Sequence, residues 1–171
     1  MIIGMGIDIH EVERTAEAVK RRGVGYLERL FTASEIEAGR HRRDAAGFFA
    51  KRFAAKEACA KALGTGISGR IGWQDIEISA DGLGAPTIAL SGGALRRARW
   101  LAPKGSEITA HVSLASASGM CVAIVVVDAN LPRDRAREQL KSNERLRSVT
   151  LEERGTQSLS LDLKQRAAQS R

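Results

Sequence analysis

The first apolar run, IIGMGIDI at residues 2–9, reads as a strand, and Gly4 and Gly6 mark places where backbone or a ligand can approach closely. Residues Glu11 to about Arg22 form a charged helical stretch that ends near Gly23 and Gly25. A second, short helix is expected from Thr32 or Ser34, each a capping residue with Glu35 or Glu37 three positions on. The strongest helical pattern runs from about Ala45 to Leu63 and stops at Gly64. After the Gly-rich GTGISGRIG, two runs, WQDIEIS and APTIAL, flank a DGLG turn and predict a hairpin. Ser91 to about Ala102 predicts a helix, and EITAHVSLA and MCVAIVVVD predict a second strand pair around Ser116–Gly119. Strands and helices do not alternate strictly. The expected fold is therefore α+β, a single domain with a mostly antiparallel sheet packed against helices, rather than a doubly wound one. From Leu131 onward the chain is polar and has no sustained apolar stripe. The expected organisation is a domain over 1–128 and a polar extension over 129–171, helical or disordered.

Composition narrows the picture in three ways. With 171 residues, the chain has room for one ordinary domain, and 43% hydrophobic content supports a packed core. Aromatics make up only 4%, so that core must be built mostly from Ala, Val, Ile and Leu. No apolar run approaches the roughly 20 residues that span a bilayer, and the first ten residues lack a signal peptide's basic start, so neither a membrane segment nor export is expected. Cys59 and Cys121 lack metal-type spacing, which fits two buried thiols in a reducing cytoplasm. The net charge of +7 suggests an acidic partner. Residues 129–171 hold ten Lys/Arg against six Asp/Glu, a net +4, which leaves +3 for the first 128 residues. The overall basicity is thus weak support for a nucleic-acid partner, and no aromatic-rich single-strand platform accompanies it.

Two residues are out of place on ordinary structural grounds. Asp8 stands between Ile7 and Ile9 in an apolar strand, where a carboxylate needs a partner, a hydrogen bond or a cation. The alternative is a strand-end aspartate capping the next helix. At about 100° per residue, Phe49, Phe53, Lys56, Ala60 and Leu63 fall on one stripe of the Ala45–Leu63 helix, which puts Lys56 near the centre of an apolar face. A lysine there either snorkels or meets an anion such as a phosphate. Glu57 borders it and is spaced to pair with Lys61 at i,i+4. Asp8 and Glu57 together suit magnesium, which takes hard oxygen ligands and is often held by one or two carboxylates plus substrate phosphates. Arg52, Lys56 and Lys61 would add phosphate partners, and Gly64, Thr65 and Gly66 would leave backbone amides open to a ligand. GxGxxG and GxxxxGK[ST] are absent, and His10, His41 and His111 have no zinc-like spacing.

GIDIHEVER at Gly6–Arg14 and RFAAKEACAKALGTGI at Arg52–Ile67, followed in order by WQDIEI and HVSLA, resemble the holo-[acyl-carrier-protein] synthase type of 4′-phosphopantetheinyl transferase over roughly Met1 to Asp128. The resemblance implies a small trimeric enzyme with active sites at subunit interfaces. Such an enzyme moves the phosphopantetheine arm of coenzyme A (CoA) to a serine of apo-acyl carrier protein and releases 3′,5′-ADP. It also implies that Asp8 and Glu57 hold Mg²⁺ and that Glu57, or a water held by the metal, takes the serine proton. Lys61, and with it Lys56, would neutralise phosphate, and Arg14 would meet the acidic carrier, with Arg21 and Arg22 of the same charged helix beside it. The expected role is therefore in fatty acid, and by extension polyketide, biosynthesis. Three departures from the family pattern bear on CoA affinity and carrier preference: Ala115-Ser116 after HVSL, the Met120-Cys121 region where an aromatic is common, and Gly84-Ala85-Pro86 in place of GKP. A lapsed homologue that only binds carrier is the competing reading, and the intact Asp8, Glu57 and Lys61 set argues against it.

Overall fold

A computed structural model of the chain describes residues 1–68 and 70–132. Met1–Asn130 forms one compact unit. The extension expected to be helical or disordered lies outside the described residues, apart from its first few positions.

The chain order is β1 (Ile2–Glu11), α1 (Val12–Arg22), α2 (Val24–Leu30), α3 (Ala33–Arg40), α4 (Ala45–Ala62), β2 (Ile76–Ala80), β3 (Pro86–Leu90), α5 (Gly92–Leu101), β4 (Glu107–Ala117) and β5 (Met120–Asn130). Three strands form an antiparallel sheet in the order β1-β5-β4, and β2 and β3 form a separate antiparallel hairpin. The fold is therefore the α+β arrangement that the strand and helix pattern predicted. Among the described residues, no helix is long and apolar enough to cross a membrane.

Two local expectations are corrected. An additional helix, α2, occupies Val24–Leu30, where only the end of a charged stretch was expected. Trp73–Asp75 is a 3-10 turn rather than the start of a strand. Asp75 explains the turn, because its carboxylate accepts from the amides of Gly72 and Gly93, each at 2.9 Å. Thr32, one of the two candidates, is the cap of α3. Its hydroxyl accepts from the Glu35 amide at 3.3 Å, and Glu35 accepts from the Thr32 amide at 2.8 Å.

The core lies between α4 and the sheet. Cys121, Ala123, Val125, Val127 and Ala129 alternate along β5 and turn their buried side chains to one face. Against them α4 places Ala54, Ala55, Ala58, Cys59 and Ala62, all buried and all small. On β1, Gly4 and Gly6 continue this contact without any side chain. A Cβ added to Gly6 would run into the Ala58 carbonyl and the Ala62 amide, and one added to Gly4 into the Ala62 carbonyl. The two glycines thus serve the approach of α4's backbone to β1, not the approach of a ligand.

Candidate active site

Close packing of β1 on α4 brings their polar side chains together. Asp8 pairs with Ala123 of β5, four residues along from the Gly4 pairing with Val127, so it shares β1's helix-facing side with Gly4 and Gly6. The Lys61 ammonium on α4 donates to Asp8 Oδ1 at 2.7 Å and to the Ile7 carbonyl at 3.1 Å. Asp8 is therefore not a helix cap; it is a half-buried strand carboxylate paired with a cation. The spacing of Glu57 and Lys61 predicts a pair along the helix, yet Lys61 reaches across to the strand instead. Glu57 keeps no ion pair among the described residues. Burial, and then the charge of Asp8, raise its pKa above the usual carboxylate value, and Lys61 only partly opposes them.

Asp8 and Glu57 line one cleft of about 400 Å³, together with His10, Arg14, Arg21 and Arg22. The three arginines come from α1, whose stepwise side chains at positions 14, 17, 18, 21 and 22 face this space. Tyr26 and Phe53 add aromatic wall, and the Arg22 guanidinium lies 5.6 Å from the Tyr26 ring centre. Phe53 in turn packs between His10 and Trp73, with ring centres 4.6 and 4.9 Å away. The His10 imidazole and the Thr15 hydroxyl are 2.8 Å apart. Burial first, and Arg14 second, lower the His10 pKa.

Two expectations about phosphate partners do not survive. Lys56 is fully buried, and its ammonium donates to Glu35 at 2.7 Å, to the Leu30 carbonyl at 2.9 Å and to the Trp73 carbonyl at 3.0 Å. All three of its protons are used inside the protein, so none is left for a phosphate. Glu35, which the sequence offers only as a helix-capping residue, is the anion that Lys56 meets, and it also accepts from the Ile78 amide at 3.1 Å. The apolar stripe around Lys56 was a sign of this partner, but nothing in the sequence located Glu35 as the one. The second correction concerns Gly64, Thr65 and Gly66. Their amides are not open to a ligand: Gly64 donates to the Lys61 carbonyl at 3.0 Å, and Thr65 and Gly66 both donate to that of Ala60 at 3.3 Å. Gly64 and Gly66, at φ of +70° and +63°, close the end of α4 in a left-handed conformation.

Arg52 lies apart from the carboxylates. It lines a second cleft of about 530 Å³ with Arg42, Arg43, Lys51, Pro86 and Ser116, and no residue lines both clefts. Its guanidinium stacks 3.4 Å from the centre of the Phe48 ring, and its Nε is buried without a hydrogen-bond partner among the described residues. Burial brings its pKa down to about 10, so it remains charged at neutral pH. The run Arg40 to Asp44, RHRRD, was the available signal for this basic cleft.

The donor set fits a hard divalent cation. Three carboxylates, Asp8, Glu17 and Glu57, line the first cleft, and the charge of Asp8 adds to the cost of ionising Glu57, a cost a cation relieves. Among the described residues no three His, Cys, Asp or Glu side chains cluster to hold a metal.

Residues 4–115 match the model of the 4′-phosphopantetheinyl transferase superfamily, and the chain belongs to that family. Within it, the chain is 43% identical over 129 residues to the holo-[acyl-carrier-protein] synthase of Xanthobacter autotrophicus, covering 75% of this chain and 96% of the relative. The crystal structure of the Neisseria meningitidis holo-[acyl-carrier-protein] synthase superposes with a TM-score of 0.65 at 34% identity, over 75% of this chain and 99% of that one. The Helicobacter pylori synthase, solved in complex with coenzyme A, gives a TM-score of 0.62 at 33% identity, over 72% and 99%.

Proposed function

We propose that this chain is a magnesium-dependent holo-[acyl-carrier-protein] synthase, which transfers 4′-phosphopantetheine from CoA to a serine of apo-acyl carrier protein and releases 3′,5′-ADP. The observation that carries the reading is the single cleft that joins Asp8 and Glu57 to Arg14, Arg21 and Arg22. It sets a cation-binding carboxylate pair beside a basic helix, as a phosphate donor and an acidic protein acceptor require.

Asp8 and Glu57 would hold Mg²⁺, which supplies Lewis-acid stabilisation of charge on the CoA pyrophosphate. Lys61, half exposed beside Asp8, would be the cation at hand to neutralise phosphate. Glu57, or a water held by the metal, would be the acceptor for the serine proton. Arg14, Arg21 and Arg22 orient the acidic carrier so that its serine enters in line.

Arg52, with Arg42, Arg43 and Lys51, would receive a further phosphate of CoA in the second cleft. The family resemblance implies active sites at subunit interfaces, so one CoA would be held between copies of the chain. The outer face of the sheet supports the homotrimer that this needs. Met5, Ile7 and Ile9 are 71%, 53% and 60% exposed in one row, with Ile124 beside them opposite Ile7. A row of this kind is covered when copies pack together. The buried free thiols of Cys59 and Cys121 are consistent with work in the cytoplasm, in support of fatty acid biosynthesis.

The test is mass spectrometry of apo-acyl carrier protein incubated with the protein, CoA and Mg²⁺, with EDTA and Asp8→Ala controls. A gain of one phosphopantetheine group that both controls abolish is expected. A gain that survives EDTA would remove the metal from the reading, and no gain on fatty-acid, polyketide or peptide carriers would overturn the transfer itself.

A further inference from the structure

Helix α1 is a partition between two cavities. One side of it faces the carboxylate cleft, while Ala16, Val19 and Lys20 face a second space of about 520 Å³. Val24, Leu27, Ile36 and Phe49, from α2, α3 and α4, form its other walls, and its volume lies in the range of small-molecule pockets. The lining contains no Asp or Glu and only two charged side chains, Lys20 and Arg40. Both are exposed, so the charge sits at the mouth and the depth is apolar. Arg40 keeps Glu37 at 3.1 Å, but that pair lies in solvent, with both side chains more than 60% exposed.

We propose that this cavity binds an unbranched-chain carboxylate, an anion of the fatty-acid class, with its chain among the apolar side chains and its headgroup between Lys20 and Arg40. The walls offer an extended hydrocarbon nothing to hydrogen-bond and much to cover, which disfavours a polar occupant. The cations at the mouth select an anion over a neutral or cationic chain.

The site is independent of the transfer reaction, so its test contains neither CoA nor carrier. Saturated carboxylates of increasing length are titrated calorimetrically into the full chain below their micelle concentrations. One site per chain is expected. Affinity should rise by about fourfold per added methylene and then level off once the cavity is filled. Dodecyltrimethylammonium should bind at least about tenfold more weakly than dodecanoate, since the mouth is cationic. Ala46→Phe, which places a ring in the cavity, should weaken dodecanoate at least about tenfold. The exposed reversals Lys20→Glu and Arg40→Glu together should weaken it by about threefold or more while the chain-length trend persists, and they decide the matter if Ala46→Phe does not fold. Uptake that never saturates, equal affinity for the cationic chain, or a folded Ala46→Phe that binds as before would overturn the proposal.

Discussion

Replacing Lys56 with methionine separates a scaffold lysine from a phosphate ligand, because the two roles predict opposite results. Methionine keeps the volume of the side chain but removes three hydrogen bonds, to Glu35, Leu30 and Trp73. Glu35 then keeps only the Thr32 and Ile78 amides, with its charge buried and uncompensated. Removing one partner of a buried ion pair costs about 3–5 kcal/mol. For a unit of this size that corresponds to a fall in Tm of about 10–20 °C. The assay is thermal unfolding at fixed protein concentration, alongside the KM for CoA measured well below the transition. The expected result is a large loss of Tm with a KM for CoA within about twofold of wild type. Lys56→Met combined with Glu35→Gln removes both charges and should recover a substantial part of the loss, since the remaining amide can still accept from Ile78. A Tm within about 2 °C of wild type, together with a tenfold rise in the KM for CoA, would refute the scaffold role.

Three further outcomes follow from the same geometry. Gly6→Ala drives a methyl into the backbone of α4 and should cost about 1–3 kcal/mol in chemical denaturation. Gly25→Ala, in α2 with nothing within 4 Å, should instead gain up to about 1 kcal/mol, and equal effects would argue against the close contact. Glu57 has a folded pKa above its unfolded value, so between the two the native state binds the extra proton and stability falls as pH rises. Glu57→Gln removes that loss; its stability relative to wild type in EDTA should increase from about pH 4 to pH 7, and a flat difference would count against the shift. Arg14→Glu should raise the KM for carrier protein and leave the KM for CoA unchanged, and an unaltered carrier KM would remove Arg14 from the docking surface.

The parts of the fold that follow from local chemistry were legible in the sequence. Alternation gave β4 and β5, Gly64 ended α4, and the Thr32 and Glu35 spacing started α3. Asp8 and Glu57 were legible as a pair because a carboxylate in an apolar strand and another beside an apolar helix face each need an explanation. What could not be read depended on tertiary approach. Lys56 looked like a phosphate ligand because its anion, Glu35, is 21 residues away on another helix. Arg52 looked like a neighbour of the carboxylates because it shares their helix, yet it lines another cleft. The Gly64–Gly66 amides looked open because the bonds that occupy them run back to α4.

The seating of β1 on α4 also bears on how the site responds to heat. The spacing between the strand that carries Asp8 and the helix that carries Glu57 is set by main chain resting on main chain at Gly4 and Gly6. No rotamer stands in that gap, so side-chain motion that grows with temperature has nothing there to act on. Loosening would require the whole helix to lift from the strand, which is the loss of the core itself. The spacing of Asp8 and Glu57 should thus have no melting point of its own: on warming, it and the fold should fail together.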